Sequence, residues 1–132
     1  MTIEPIIEEF ILSADSKALA TYGANLNVVP VSSIRVVGGT IWLINYFMDK
    51  TLDNILHINM VALVCWKKMM GYQIKGSVTY KTEGKEFDEA VQWIKGLLPD
   101  RVVKGLIILM PTEIYDISPT KDTAEKLLAE RS

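Results

Sequence analysis

With 132 residues, 49% of them apolar, the chain is long enough to bury one core without disulfides or a structural metal, and a single domain over residues 1–132 is expected. Its 14 basic and 16 acidic residues leave a net charge of −2, which provides no positive field for nucleic acid or an anionic membrane surface. One cysteine rules out an internal disulfide, no apolar run is long enough to span a bilayer, and the acidic opening MTIEPIIEEF, broken by Pro5, is unlike a signal peptide; a cytoplasmic protein is expected.

Ile6, Ile7, Phe10 and Ile11 recur at helical spacing, and Pro5 suits a first helical turn because its missing N–H would be unpaired there anyway, so a short helix opens the chain. KALATYG, NVVPVSSIRVV and TIWLINYF are β-branched, small and aromatic, each bounded by Gly or Asn, and predict three successive strands. Gly38-Gly39 can reach the positive φ of a tight hairpin turn and predicts antiparallel pairing across it. In DKTLDNILHIN, Leu52, Ile55 and Leu56 share one face and Asp49 can accept hydrogen bonds at its start, giving a second short helix. VALVCW reads as a buried strand, and YQIKGSVTYK alternates apolar and polar residues, forming a second hairpin around KKMMG.

Phe87, Ala90, Val91, Ile94, Leu97 and Leu98 mark a third helix. GLIILMPTEIYDI predicts a last strand with Pro111 at a bulge or edge, since proline cannot donate to a ladder, and Ser118-Pro119 start a C-terminal helix. Six strands in runs, with too few helices for repeated βαβ units, predict a mainly β (α+β) fold: a six-stranded antiparallel barrel with peripheral helices.

The chemistry concentrates in Asn45–Thr51, NYFMDKT. Lys50 and Thr51 fall in the first turn of a helix, where a lysine opposes the dipole while unpaired N–H groups attract an anion. A bound phosphate resolves that conflict, with Lys50 supplying charge, Thr51 a hydroxyl and N–H, and Asp49 capping the turn. The alternative is a Lys50 that extends into solvent, screened by Asp49, and the spacing leaves both open. His57 falls near a helix end, where a surface role is expected. Cys65 lies in an apolar strand beside Trp66, where packing is expected, and no Cys, His and carboxylate cluster has metal-ligand spacing.

The order ALATYGANLNVVPVSSIRVV, a strand, FMDKTLDNI, NMVALVCW, GYQIKGSVTYKTEG and MPTEIYDI resembles the flavin mononucleotide (FMN)-binding split-barrel proteins related to pyridoxamine 5'-phosphate oxidase, over Ala18 to Ile117. No one motif is specific, but their order and separations together are. The resemblance implies a split barrel that works as a homodimer with flavin at the subunit interface. Carried over by position, Val29, Pro30, Val31 and Ser32 line one side of the flavin ring through main-chain groups. Asn45, Tyr46, Phe47 and Met48 lie along the ring or ribityl chain, and Lys50 and Thr51 meet the phosphate. Residues near Gln73 and Lys75 contribute, the partner subunit closes the site, and Ser33 and Arg35 are further candidates beside the phosphate. True oxidases of this family carry a C-terminal segment whose arginine and histidine contact the substrate; the stretch ISPTKDTAEKLLAERS lacks it, so the resemblance implies the cofactor rather than pyridoxamine-phosphate oxidation. No protein acid or base stands out as catalytic. The expected activity is that of an FMN-dependent oxidoreductase or electron carrier, reduced by a nicotinamide nucleotide docking over the flavin or by a redox partner. The alternatives are a non-catalytic flavin-binding or sensor module, or a split barrel holding deazaflavin or haem.

Overall fold

A computed structural model describes residues 2–119. Helix α1 (Pro5–Ser13) is followed by β1 (Ser16–Thr21), β2 (Asn27–Pro30), β3 (Ile34–Val37) and β4 (Thr40–Asn45). Then come α2 (Asp49–His57), β5 (Met60–Lys67), β6 (Met70–Lys81), α3 (Lys85–Leu97) and β7 (Gly105–Asp116). The helix expected after Ser118-Pro119 lies outside the described residues. Within them, the Ser118 hydroxyl accepts the Gly71 N–H at 3.1 Å and ties the end of β7 to the start of β6.

All strand pairs are antiparallel, in the order β2-β1-β5-β6-β7-β4-β3. The strand expected over NVVPVSSIRVV is therefore two strands, which makes seven rather than six. Val31 still donates its N–H to Lys17 O at 3.0 Å, after which the chain leaves β1 and joins β4 at the other edge of the sheet. In a flat sheet those edges would lie six strand spacings apart, about 29 Å. Residues Val31–Ser33 alone connect β2 to β3, and that link reaches at most about 14 Å. The sheet must curl until its edges nearly meet, and the gap left between β2 and β3 is the split of the barrel.

Gly38 and Gly39 have φ of 54° and 80°, the two positive values that a two-residue turn between antiparallel strands requires, so the β3–β4 hairpin forms as expected. Strand β4 is apolar on both faces because both are covered. Ile41 and Leu43 point into the barrel core with Leu19, Leu63, Ile74, Ile107 and Leu109, while Trp42 and Ile44 pack with Ala90 and Ile94 of α3 and Ile108 of β7. Pro111 occupies the predicted bulge. The β6–β7 register slips between Lys75 and Gly76, Gly76 pairing with Pro111, so a residue with no N–H sits in an interior strand where the ladder is already broken.

Cys65 is fully buried in the barrel core, and burial pushes its thiol up to about 11, only partly offset by the Lys17 charge. Its folded pKa is raised from 9.0, so the stability it contributes is complete below pH 9.0 and is lost as pH rises through about 11. Alkylation by a maleimide at pH 8 should therefore be slow in the native chain and fast in denaturant, and denaturant midpoints should fall between pH 9 and 11 in the native chain more than in Cys65→Ser.

Candidate functional site

Next to the split the surface folds into a cleft of about 400 Å³. One wall is the end of β2 and the link beyond it, Val29 to Ser32; the other is the chain leaving β4 for α2, with Tyr46, Phe47 and Met48. Ile44 and Arg101 complete the lining. Seven of the ten residues assigned to the cofactor (Val29, Pro30, Val31, Ser32, Tyr46, Phe47, Met48) thus line one cleft. The two walls are connected at the side-chain level: the Tyr46 and Ser33 hydroxyls share a hydrogen bond at 2.8 Å, so a ring on one wall is braced by the link on the other.

The three remaining residues are placed differently. Asn45 is 2% exposed and does not line the cleft. Its Oδ1 accepts the Met48 N–H at 2.7 Å and its Nδ2 donates to the Tyr80 hydroxyl at 3.0 Å, which anchors the bend between β4 and α2 to β6. It positions Tyr46, Phe47 and Met48 instead of lying along a ligand itself. Thr51 is 0% exposed, and its hydroxyl accepts from Asn27 Nδ2 at 2.8 Å. A side chain with no accessible surface cannot meet a phosphate in this conformation; Thr51 fastens the first turn of α2 to the start of β2. Lys50 is exposed on that turn, beside the equally exposed Asp49. Asp49 is not the cap: Met48 holds the cap position, with no side-chain cap bond, and Asp49 is the first helical residue, where its charge favours the dipole. Further along α2, buried Asn54 donates Nδ2 to Thr21 Oγ1 at 3.0 Å and to Asn25 O at 2.7 Å, so helix and hairpin are held together at two points.

Of the other sequence candidates, only Ser33 touches the site. Arg35 lies over the Trp93 ring of α3 at 5.5 Å, away from the cleft. Lys75 lines a separate apolar cleft with Tyr22, Leu26 and Met60. The His57 ring is exposed, with Nδ1 at 2.8 Å from Asp53 O. None of Trp42, Trp66 and Trp93 lines the cleft.

Sequence reading missed Arg101, the one charged residue in the cleft lining among the described residues. Its guanidinium lies 5.3 Å from the centre of the Tyr46 ring, and Lys104 Nζ lies 5.9 Å from that of Phe47. The Lys104 N–H donates to Asn45 O at 2.9 Å, which brings the α3–β7 connection alongside the end of β4. The available signal was DRVVK, two cations immediately before a buried strand.

The family model for pyridoxamine 5'-phosphate oxidase matches residues 3–119. The chain belongs to the pyridoxamine 5'-phosphate oxidase family. A curated family relative, an uncharacterized protein of Methanocaldococcus jannaschii, is 34% identical over 97% of this chain and 91% of its own length. Two solved structures extend the likeness of fold. An FMN-binding protein from Syntrophomonas wolfei superposes with a TM-score of 0.76 at 17% identity, covering 87% of this chain and 86% of its own. HutZ, the haem storage protein of Vibrio cholerae, superposes with a TM-score of 0.68 at 12% identity, covering 87% of this chain and 94% of its own. The fold is thus shared by a protein described as FMN-binding and by one described as a haem storage protein. No helix among the described residues is long and apolar enough to cross a membrane.

Proposed function

We propose that this member of the pyridoxamine 5'-phosphate oxidase family binds FMN in the cleft between the β2–β3 link and the β4–α2 bend, and serves as a flavin-dependent oxidoreductase or electron carrier. The observation that carries the reading is the convergence in one cleft of Val29–Ser32 with Tyr46, Phe47 and Met48, two segments that the family resemblance assigns to one ligand. An apolar cleft with a few fixed polar groups suits a planar, partly polar ring, and sheet-edge backbone supplies N–H and C=O groups for its heteroatoms. Lys50 and the first turn of α2 hold the phosphate. Flavin, when bound, supplies the electron chemistry. This chain's part is to position it: Asn45 fixes the bend, Thr51 and Asn54 fix α2 against β1 and β2, and the Ser33 bond sets the Tyr46 ring.

The same cleft suits a deazaflavin, which keeps the planar ring and phosphate. The likeness to HutZ raises haem as the second reading. What favours flavin is the place of the one histidine: His57 is exposed at the end of α2 and bonded to Asp53, outside the cleft lining that an axial ligand would have to enter.

The working unit is a homodimer with the partner closing the site. Leu26 at 92% exposure, with Tyr22, Met60 and Met110 also exposed, gives an apolar surface of the kind a two-fold partner covers.

Freshly purified protein should show bands near ~370 and ~450 nm and release FMN, identified by mass, on denaturation. Light scattering should give twice the 14.8 kDa of one chain. Anaerobic titration with NADH or NADPH separates an enzyme, whose flavin bleaches, from a partner-reduced carrier or a binding module. Colourless protein that takes up no added flavin overturns the reading.

A further inference from the structure

Charge is unevenly spread along this chain. The hairpin of β5 and β6, Met60 to Lys81, holds Lys67, Lys68, Lys75 and Lys81 and no acidic residue, so a chain of net charge −2 carries +4 there and −6 elsewhere. Two of those lysines are engaged: Lys75 Nζ lies 5.5 Å from the centre of the Tyr115 ring, and Lys81 pairs with Glu86 at 3.9 Å. Lys67 and Lys68, at the turn, are exposed, and neither has a carboxylate oxygen within 4.0 Å among the described residues.

The turn stands clear of the sheet. The last pair between β1 and β5 is Ser16 with Trp66, and the last between β7 and β6 is Asp116 with Tyr72, so Lys67 and Met70 pair only with each other. The other exposed side chains here are apolar: Met69 is 72%, Met70 61% and Trp66 38% exposed. Lys68 has a φ of 56°, a left-handed conformation that costs a lysine energy and that glycine adopts freely. It stands at the first position of a two-residue turn, where glycine would fit without strain.

Methionines and an indole gain by leaving water, and unpaired lysines beside them call for an anionic surface. We propose that this turn docks the protein on an anionic lipid bilayer. Met69 and Met70 enter the headgroup region, Trp66 lies at its outer boundary, and Lys67 and Lys68 meet lipid phosphates. From the turn back to Trp66 is about 7–10 Å of strand, the depth at which interfacial apolar side chains are buried. Indole suits a boundary that is apolar on one side and wet on the other, and lysine stems lie along apolar surface while the ammonium stays in water. A protein partner suits the turn less well. Its three apolar side chains offer about 350 Å², at roughly 200 Å² for each whole side chain, against the ~800 Å² that one side of a stable protein interface contributes. A projecting turn also needs a matching pocket in a protein, and a fluid bilayer supplies one by deforming. The surface given to a two-fold partner lies elsewhere, since its Met60 is at the far end of β5, about 20 Å from Trp66. The whole-chain charge provides no long-range attraction, so the contact is local and weakens as salt shortens the Debye length.

The test mixes the full chain with vesicles of phosphatidylcholine, alone or with phosphatidylglycerol added, and reads binding by cosedimentation and indole fluorescence. The chain should bind the anionic vesicles about 10-fold or more tightly than the neutral ones, with a blue shift in emission that Trp66→Phe removes. Lys67→Gln combined with Lys68→Gln should weaken binding by about 10-fold or more. Met69→Ser combined with Met70→Ser should weaken it as much and leave its salt dependence in place. These residues are exposed, so both variants should melt within about 2 °C of the native chain. Lys68→Gly relieves the strained φ and should melt no lower than the native chain while still binding less. A native chain that stays in the supernatant with both kinds of vesicle overturns the proposal, as does equal binding to both, or a lysine variant that binds like the native chain. Retention of polyglutamate without vesicle binding, lost in the lysine variant, would give the turn to an acidic protein and overturn lipid docking. A halved mass of the methionine variant in light scattering would give it to a second copy and do the same.

Discussion

Replacing Lys50 by glutamine should weaken FMN binding by about 10- to 100-fold while leaving riboflavin, which has no phosphate, within about 3-fold. Lys50 is exposed in the first turn of α2, where a cation is disfavoured by the dipole and by unpaired N–H groups. Removing it should therefore raise the melting temperature of the unloaded chain slightly, by the few degrees that about 0.3–1 kcal/mol represents in a domain of this size. Affinity and stability moving in opposite directions is the signature of a residue kept for its ligand. A Lys50 that merely extends into solvent predicts the small stability gain with FMN affinity unchanged. Flavin fluorescence titrations at two salt concentrations add a further check, since an exposed cation–phosphate contact weakens as the Debye length shrinks, and that salt sensitivity should disappear in the variant.

Gly76→Ala should cost about 3 kcal/mol or more and lower the melting temperature by about 10 °C or more. A methyl group there would run into the Met110 carbonyl and press on the Leu109 side chain. The obstacle is backbone of an interior strand: β7 pairs with β4 as far as Leu109, the residue before Met110, so the Met110 peptide cannot back away without straining the end of that second ladder. Gly96→Ala is the matched control. It adds the same methyl inside α3 with nothing within 4 Å, and should stabilise by about 0.5–1 kcal/mol through helix propensity. Thermal melts of the two variants side by side separate a steric collision from a general intolerance of added bulk.

Much of this architecture could be read locally. Gly38-Gly39 announced its hairpin because two adjacent positive-φ residues have few other uses between strands, and Pro111 announced the bulge because it cannot donate. The split was not legible for a physical reason. Residues Val29 to Val36 keep the composition of one strand throughout, and nothing in it records that the first half pairs with β1 and the second with β4. The lining of the cleft was legible where backbone carries it, along Val29–Ser32 and Tyr46–Met48. It was misread where a polar side chain turns inward: Asn45 and Thr51 are in the expected stretch, but their hydrogen bonds go to Tyr80, Met48 and Asn27. Whether a polar residue faces ligand or framework depends on partners far along the chain. Arg101 is a stronger case of the same kind, since its relation to Tyr46 exists only after β7 has paired with β4.

The edges on either side of the split have a consequence for how the chain survives in a crowded solution. An unpaired strand edge is a template on which another protein can extend its own sheet. Here both edge strands are four residues long, one ends in Pro30, and the other carries Arg35 lying over Trp93. Such edges are too short and too interrupted for a foreign strand to gain a worthwhile ladder, although a molecule the size of a single fused ring system needs only one or two of their polar groups. The barrel can therefore stay unfinished without becoming a nucleus for aggregation, and under the flavin reading the slot is left to small planar compounds.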